Sequence, residues 1–426
     1  MSMRKIAIIG GGPAGMMAAI GAKSAAREAG EPCEVLLLEK NESLGAKVLI
    51  SGGGRCNLTS GIFDVKELLK NYPRGAKFLM TAMFRFSPEK VMEWFESHGV
   101  ALKIEKDKRV FPKSNESRDI VAALEKEMRD AGVKVLFNSA VTSVAKVGEK
   151  SQIELKDGQK LDADAVILTT GGNAYRHTGS TGDGYAFATG LGHTITPLAP
   201  SLSSFLIGEQ YESAGVSFDK AKLTLLRENK KLFERVGPFL FTHRGVSGPA
   251  VFALSSYAAH EEITPANPLN LIIDFFPDEN LTAFGERIAA LINKNPKKHL
   301  VGFLDILLPR SLCEAIAPLV EAKSGESGDC TATGEIVGNF TKEGRQKLVR
   351  ILKEFKLTVT GRSAGEEFVT AGGVNLAEVN TNTMESKICP GLYFAGEILD
   401  IDAFTGGFNL QASWATGALA GSCAAA

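Results

Sequence analysis

The sequence predicts an α/β fold, in which a largely parallel sheet with covering helices is interrupted by a β-rich insertion. Residues 5–9 form a short apolar run without polar alternation, as in a strand that is buried on both faces. A glycine-rich turn, a helix-compatible stretch and a second apolar run follow it directly. Beyond residue 194 the pattern changes to strand-like stretches and a helical run, and a glycine-rich segment with a last helix follows.

The composition is that of an ordinary soluble globular protein. The 426 residues predict two or three domains, since a domain averages roughly 150 residues. With 44% hydrophobic and 23% charged residues, the sequence argues against a disordered chain, a fibre and a membrane bundle. The net charge of -1 provides no overall field for nucleic acid or an anionic membrane. We therefore expect neither partner, and binding of a polyanion would need a local patch.

The cysteines predict a reducing, cytoplasmic setting and no metal site. The sequence contains six of them, spread without C-x-x-C pairs or a His/Cys ligand spacing, at Cys33, Cys56, Cys313, Cys330, Cys389 and Cys423. This distribution argues against a disulfide scaffold, a zinc site and an iron–sulfur cluster.

The N-terminal residues predict a strand, a turn, a helix and a second strand. Residues 13–29 suit a helix, with Pro13 in its first turn and Gly30 as a left-handed cap, and residues 35–38 form a second buried strand that ends at Glu39. The basic start and the uncharged stretch to Ala22 also resemble a secretory signal. Gly10–Gly12 and Pro13 would break its apolar helix, so we favour the first interpretation. No other segment has the roughly 20 uninterrupted apolar residues that a membrane helix needs.

The later elements divide the chain into three predicted regions. Helices are expected at residues 88–98 and 115–131, and strands at 133–137, 141–147, 152–155, 160–161 and 165–168. In the insertion we expect strands at 223–226, 239–242 and 269–276, a helical run at 281–323, strands at 334–340 and 357–360, and a helix at 342–355. We predict one domain from residues 1–193 and 366–426, a β-rich domain from 194–276 and 334–365, and a small helical subdomain at 277–333.

The first glycine motif predicts a dinucleotide site. Gly10, Gly12 and Gly15 follow the first strand in the pattern G-x-G-x-x-G, and Pro13 and Ala14 begin the helix. These glycines permit a tight turn, close approach of a pyrophosphate and close packing of the helix. Glu39, at the end of the second strand, is placed to accept a hydrogen bond from a ribose 2′-hydroxyl. Its negative charge would repel a 2′-phosphate. The alternative is a chance turn with a surface glutamate, and the combination of strand, glycines, helix and acid argues against it.

Two further glycine segments favour FAD over NAD. Residues 45–57 include Lys47, Arg55 and Asn57, which can donate hydrogen bonds to phosphate or ring atoms beside a flat glycine backbone. Residues 391–397 and 406–411 form a strand, a turn and a helix start whose N–H donors suit the flavin pyrimidine. A glycine turn, Thr170–Gly172, also follows the strand at 165–168.

Together these motifs resemble those of the YhiN/BaiN-like bacterial flavoproteins along nearly the whole chain. The resemblance also covers residues 109–114, 182–184 and 241–249. It implies a Rossmann-like FAD domain of the glutathione-reductase type, interrupted by a β-rich domain that carries a small helical one. Members are labelled NAD(P)/FAD-dependent oxidoreductases, bile-acid-pathway reductases or aminoacetone oxidases, so the substrate does not transfer.

The predicted cofactor-binding residues come from all of these segments. They are Gly10, Gly12, Pro13, Ala14, Gly15, Glu39, Lys40, Lys47, Gly52, Gly53, Arg55, Cys56, Asn57, Val141, Thr170, Gly171, Gly172, Gly396, Glu397, Gly407, Phe408 and Asn409.

Several reactive side chains have a functional and a structural interpretation. Cys56 is expected to be a packed thiol, because no partner cysteine stands four or five residues away to form an active disulfide. His243 and Arg244 are weak catalytic candidates, for proton exchange and carboxylate binding, and the alternative is a loop histidine with an arginine that braces a domain contact.

Other polar residues have weaker functional interpretations. Arg109 and Lys113 lie in a charged stretch that we expect to be a solvent-exposed face. The alternative is that these residues anchor FAD or an anionic substrate. His177 and Asp183 follow the Thr170–Gly172 turn, and Asp183 suits a turn better than an acid.

We expect an FAD-dependent oxidoreductase that exchanges hydride with a small organic substrate. No second G-x-G-x-x-G follows a strand, so NAD(P)H would bind only transiently. The alternatives are a flavin-dependent oxidase that uses oxygen and a flavin-holding module that binds RNA or protein. The sequence does not give the oligomeric state.

Overall fold

The chain forms two compact units. The computed structural model describes residues 3–209, 213–321, 335–363, 365 and 367–426. Unit 1 comprises Met1–Ser201 and Glu367–Ala426, and unit 2, Leu202–Glu366, is inserted into it. Within the described ranges, no helix is both long enough and apolar enough to cross a membrane. The finer predicted division of the insertion stays a prediction, and residues 322–334 of its helical part lie outside the described ranges.

The first part of unit 1 alternates strands and helices. Its strands are β1 (Arg4–Ile9), β2 (Cys33–Leu38), β3 (Thr59–Ser60), β4 (Leu102–Ile104), β5 (Arg109–Pro112), β6 (Lys134–Leu136), β7 (Val141–Val147), β8 (Lys150–Leu155), β9 (Lys160–Ala163), β10 (Ala165–Leu168) and β11 (Ala199–Ser201). Its helices are α1 (Pro13–Ala29), α2 (Ala46–Ile50), α3 (Val65–Leu69), α4 (Met80–Arg85), α5 (Pro88–Ser97), α6 (Ser117–Asp130) and α7 (Asp183–Gly190).

Unit 2 and the C-terminal part of unit 1 complete the chain. The strands of unit 2 are β12 (Phe205–Ile207), β13 (Ser217–Arg227), β14 (Lys230–Phe241), β15 (Gly245–Ser247), β16 (Leu269–Asp274) and β17 (Phe355–Arg362). Its helices are α8 (Pro249–Tyr257), α9 (Leu281–Lys294), α10 (Leu300–Leu304), α11 (Arg310–Glu321) and α12 (Lys342–Lys353). The chain then returns to unit 1 with β18 (Val369–Ala371), β19 (Leu392–Phe394) and α13 (Phe408–Ala425).

The central sheet of unit 1 brings the glycine segments to one edge. Its strand order is β19-β10-β1-β2-β6, and every neighbouring pair is parallel. Every residue of β10 is buried, as is typical of a parallel strand covered on both faces. Because parallel strands end at the same edge, the segments after β1, β2, β10 and β19 meet there. The predicted Rossmann-type α/β fold is confirmed.

Glycines allow the first and last helices of unit 1 to pack closely. A Cβ on Gly417 would lie 2.4 Å from the carbonyl oxygen of Ala14, and one on Gly421 would lie 2.0 Å from that of Ala18. Any larger residue at either position would force α1 and α13 apart. This packing fixes the C-terminal segment against the helix that begins at the first glycine motif.

Unit 2 is a closed barrel whose core extends under its helices. The strand order is β12-β15-β14-β13-β16-β17, with antiparallel pairs. Inward residues alternate along β13, at Ala221, Leu223 and Leu225. Side chains from the barrel and from α9–α12 share one buried cluster, which includes Phe241 and Phe284.

Some predicted elements of the insertion differ from the structure. The strand expected at 334–340 is wrong for the described residues, because Val337–Asn339 form a 3-10 turn and Ile336 makes only an isolated bridge with His299. Gly338 packs against Pro296, where its Cβ would lie 2.4 Å from the carbonyl oxygen. Within the described residues 281–321 the expected helical run is three helices, since Pro296 as well as Pro309 interrupts it.

Candidate functional site

The turn after β1 requires its glycines. Gly10 has a φ of +110°, and a Cβ there would lie 2.6 Å from the carbonyl oxygen of Thr169. A Cβ on Gly15 would lie 1.9 Å from the carbonyl oxygen of Gly10. The chain therefore passes directly from the strand edge into α1, with the start of the helix pressed against the turn.

The N-terminus of α1 is a candidate phosphate site. Gly12 is the N-cap residue, and no side chain caps the first N–H groups of this 17-residue helix. Among the described residues, none places an atom within 4 Å of a Cβ built on Gly12, so the space beside this N-cap is open. Uncapped N–H groups and the positive end of the helix dipole favour an anion at such a place.

Glu39 is fixed beside this turn. The side chain is buried, and its two oxygens accept hydrogen bonds from Gly11 N at 2.7 Å and Asn41 N at 2.8 Å. Each carboxylate oxygen has capacity for one more donor, as a ribose hydroxyl would supply. Val141 begins β7 two residues after Ser139, whose N–H donates to the carbonyl oxygen of Glu39 at 2.9 Å.

Lys40 holds the loop that follows β10. Its Nζ lies 2.5 Å from Thr181 Oγ1 and 2.7 Å from Asp183 Oδ2. Burial of the Asp183 carboxyl raises its pKa, but the hydrogen bonds from Lys40 and Thr181 outweigh this, and the net pKa is lowered. Asp183 begins α7 as an ionised partner of Lys40. His177 lies in the same loop, with its ring 5.8 Å from that of Tyr175.

The second glycine segment forms a left-handed turn. Gly52, Gly53 and Gly54 have φ values of +57°, +70° and +84°, and a Cβ on Gly53 or Gly54 would meet no protein atom within 4 Å. Arg55 has protein partners: it pairs with Glu105, donates to Asn115 Oδ1 at 3.0 Å and lies 3.9 Å above the Phe111 ring. A contact between Arg55 and a cofactor stays a prediction.

Cys56 is a buried thiol. It is free, and the structure gives it no disulfide partner among the residues it describes. Burial raises the pKa of the thiol to about 12, and a hydrogen bond with Ser51 opposes this only in part. The side chain is therefore protonated and poorly nucleophilic at neutral pH.

The C-terminal segments reach the same edge. Gly396 has a φ of +78°, and its Cβ would lie 2.8 Å from that of Ala14. Gly407 is the N-cap residue of α13, again without a side-chain cap, and its N–H donates to the Asn57 side-chain oxygen at 2.9 Å. Segments near the two ends of the sequence thus converge at the start of α1.

The turn after β10 contains an unsatisfied hydroxyl. Thr170 Oγ1 is buried and has no hydrogen-bond partner among the described residues. Buried polar atoms normally have partners, so this hydroxyl indicates a bound group or a water. Gly171 is left-handed with a φ of +74°, and a Cβ on Gly172 would lie 2.9 Å from Glu397 Oε1.

Two other predicted residues support the C-terminal turn. Phe408 is buried, and its carbonyl oxygen accepts a hydrogen bond from the Tyr72 hydroxyl at 2.6 Å. The Asn409 side chain bonds both the N–H and the carbonyl oxygen of Ala403. Its amide thereby holds the loop before α13.

Four further candidates have surroundings of their own. His243 and Arg244 are exposed in the turn between β14 and β15 of unit 2, and their catalytic roles stay predictions. Arg109 pairs with Asp107 at 2.6 Å. Lys113 lines an open groove of about 470 Å³ that also contacts His98.

The sequence analysis missed pairings between distant segments. Lys47 Nζ lies 2.7 Å from Glu397 Oε2, and Thr370 N donates to Glu397 Oε1 at 2.9 Å. For the pair of Lys47 and Glu397, the sequence offered one signal: the two residues carry opposite charges and each lies in a glycine motif. Thr370 stands outside every motif and gave none.

These features fit FAD. An open, uncapped helix N-terminus suits a diphosphate, and Glu39 suits a ribose. In the described part of the chain, no group of three or more His, Cys, Asp or Glu side chains is arranged to hold a metal ion.

Comparisons with known proteins agree with this fold. The model of a family described as HI0933-like protein Rossmann domain matches residues 4–423. A 3-dehydro-bile acid delta(4,6)-reductase of Clostridium scindens is 32% identical over 99% of both chains. A ribosomal RNA dihydrouridine synthase of Escherichia coli is 30% identical over 96% of this chain and 95% of its own. The solved 3-ketosteroid-delta4-(5alpha)-dehydrogenase from Rhodococcus jostii shares the fold, with a TM-score of 0.50 at 15% identity over 99% of this chain and 97% of its own.

Proposed function

The chain belongs to the HI0933-like Rossmann-domain family and is a flavin-dependent oxidoreductase, and we propose that it binds FAD and reduces a carbon–carbon double bond conjugated to a carbonyl group. Membership confirms the family resemblance that the motifs predict. The convergence of the glycine segments at the start of α1 supports FAD as the flavin. A cytoplasmic location, favoured by the cysteine pattern, is part of the proposal.

Each segment of the edge has a task in holding the cofactor. The N–H groups of α1 would bind the diphosphate, and Glu39 would accept hydrogen bonds from ribose hydroxyls. Residues 51–57 and 406–409 would flank the flavin. When bound, FAD supplies two-electron hydride chemistry, and the chain orients it and sets the charge around it.

The substrate class rests on the names of the relatives. A delta(4,6)-reductase of a 3-dehydro bile acid and a synthase of dihydrouridine both saturate a double bond next to a carbonyl group. Such a reaction adds hydride to one carbon and a proton to its neighbour. We propose a small enone as the substrate, with His243 as a candidate proton donor.

NAD(P)H is proposed as a transient electron donor. Unit 2 is an antiparallel barrel, whereas a resident nicotinamide dinucleotide is expected on a parallel sheet with its own glycine turn. The nicotinamide would therefore enter from solvent, react and leave.

Anaerobic titration tests the proposed function. We expect purified protein to be yellow, its flavin to be bleached by NADH or NADPH, and the colour to return when a 3-oxo-Δ4 steroid or a smaller enone is added. Return of colour only with oxygen would identify an oxidase and contradict the proposed reaction. Flavin that no donor reduces would contradict an enzymatic role.

A patch of basic side chains supports a second candidate, reduction of a uridine in RNA. Its members are Lys294, Lys297, Lys298, Lys342 and Arg350, which we name the α9–α12 patch. All are exposed, and within the described residues none lies within ion-pair distance of a carboxylate, although a backbone hydrogen bond and, to a smaller extent, the charge of Lys342 lower the pKa of the neighbouring Glu343. Lys294, Lys297 and Lys298 lie at the end of α9 and just after it, and Lys342 and Arg350 lie on α12. Hydrogen bonds from Val337 N to Lys298 O and from Gly338 N to Pro296 O join the segment after α9 to the segment before α12. Exposed cations on neighbouring segments favour a phosphate backbone.

Charge reversal separates the two candidates. If RNA is the substrate, Lys297→Glu/Lys298→Glu should weaken binding of ribosomal RNA at least tenfold, with a smaller salt dependence. Lys156→Glu/Lys160→Glu, a pair of exposed lysines in unit 1, is the control. Equal binding by both variants, or no binding by the unmodified protein, would exclude this patch as an RNA site.

A further inference from the structure

Lys47 and Glu397 form an ion pair between two glycine segments that are 350 positions apart. Their side chains are 26% and 17% exposed, and Lys47 Nζ lies 2.7 Å from Glu397 Oε2. We propose that Lys47 is a positioning residue that neutralises Glu397, so that the cleft accepts the negatively charged diphosphate of FAD. This inference rests on the proposed function, and it replaces the expected direct contact between Lys47 and the cofactor.

Glu397 lies where the glycine segments meet. It follows Gly396, whose Cβ would lie 2.8 Å from that of Ala14 in the first turn of α1. On its other side, a Cβ on Gly172 would lie 2.9 Å from Glu397 Oε1. Glu397 therefore directly follows the residue that contacts the first turn of α1, and its carboxylate lies beside the Gly172 turn.

The carboxylate cannot easily turn away. Its Oε1 accepts the N–H of Thr370 at 2.9 Å, which fixes the group independently of Lys47. Loss of the lysine would leave a fixed negative charge beside a second anion, at a place that solvent still partly reaches. Among the described residues, Lys47 is the cation in an ion pair with Glu397, while Lys40 is paired with Asp183.

A purely structural role makes a different prediction. If the pair only held the two segments together, removal of either partner would loosen the cleft and weaken FAD binding. Removal of both partners would weaken it by at least as much. If Lys47 instead compensates charge, its removal should matter only while Glu397 is charged. A double-mutant cycle distinguishes these cases.

The experiment measures the Kd of FAD for the full-length apoprotein by quenching of flavin fluorescence. We expect Lys47→Met to raise the Kd roughly tenfold or more at low salt, by analogy with close charge pairs. Lys47→Arg should bind nearly as the unmodified protein does. Glu397→Gln alone should bind FAD at least as tightly as the unmodified protein, and adding Lys47→Met to it should change the Kd by less than about threefold, whereas a purely structural pair predicts as large a loss in Glu397→Gln alone as in Lys47→Met.

Two further readouts support the assignment. The loss in Lys47→Met should shrink at high ionic strength, because salt screens the repulsion. In protein reconstituted with excess FAD, the flavin midpoint potential of Lys47→Met should fall, since reduction adds negative charge near an uncompensated carboxylate.

Three outcomes would overturn the inference: unmodified FAD affinity in Lys47→Met, an equal loss in both backgrounds, or a loss that salt does not reduce. Failure of the unmodified protein to bind FAD would contradict the proposed function itself, so the two failures are distinguishable.

Discussion

The indole Nε1 of Trp414 donates a hydrogen bond to the carbonyl oxygen of Leu58 over 3.0 Å, joining positions 356 residues apart. Trp414 is fully buried in α13, and Leu58 directly follows the second glycine segment. The bond attaches the last helix to the exit of that segment, next to the hydrogen bond between Asn57 and Gly407. The two hydrogen bonds thereby hold two distant parts of the chain together at the candidate cofactor site.

Trp414→Phe should lower the free energy of unfolding by about 2 kcal/mol, because it leaves the buried Leu58 carbonyl without a donor. Urea unfolding followed by circular dichroism measures this change. Trp94→Phe is the control, since Trp94 is half-buried on α5 and stacks on His98. An equal effect of both substitutions would contradict a specific role for the Trp414 bond.

Gly12→Val should yield folded but colourless protein. The added side chain meets no protein atom at Cβ, so it should fill the space proposed for the diphosphate without disturbing the fold. Gly285→Val, on α9 of unit 2, is matched to it because its Cβ would also meet nothing within 4 Å. Normal flavin content in Gly12→Val would show that the phosphate site is misplaced.

Thr170→Val should weaken FAD binding roughly fivefold, which corresponds to about 1 kcal/mol for one net hydrogen bond. The apoprotein should lose no stability, because Thr170 Oγ1 has no partner in the described structure. Fluorescence titration and thermal unfolding of the same preparation measure both quantities. A destabilised apoprotein with unchanged FAD affinity would contradict this assignment.

The stability of unit 1 should fall as the pH drops below about 6.5, the ordinary pKa of histidine. Burial lowers the pKa of His193 against the opposing effect of Glu378. The folded state thus binds the proton less readily than the unfolded state, so stability present above the unfolded pKa is lost on acidification. Its Nε2 lies 2.7 Å from Ser386 Oγ, which also accepts two backbone N–H groups, so a proton on Nε2 has no good acceptor.

Urea unfolding between pH 7.5 and 5.5 checks this prediction. The unmodified protein should lose up to ~1.4 kcal/mol per pH unit for this proton. His193→Gln should have a lower free energy of unfolding at pH 7.5, but that free energy should fall less steeply with decreasing pH than it does in the unmodified protein. The same pH dependence in both proteins would assign the effect to other groups.

Cys56 should resist alkylation in the folded protein at pH 8, because its pKa of about 12 leaves almost no thiolate. Mass spectrometry after iodoacetamide treatment would show it unmodified in native protein and modified after denaturation. Rapid native labelling of Cys56 would revive the redox-active interpretation.

Local signals predicted much of unit 1. The Gly10–Gly15 turn, α1 and β10 depend on backbone conformation and on continuous apolar runs, which neighbouring residues determine. The error at 334–340 arose because Gly338 packs on Pro296, a contact made only in the folded chain. The Lys47–Glu397 pair was missed for a related reason: the sequence shows opposite charges in two glycine segments, but its patterns do not show that these segments meet.

A crystal structure of the protein purified with its native cofactor tests the central claim most directly. We expect density for one FAD, with its diphosphate before Pro13 at the start of α1 and its flavin between residues 51–57 and 406–409. A crevice closed by side chains, or a flavin bound elsewhere, would contradict the account.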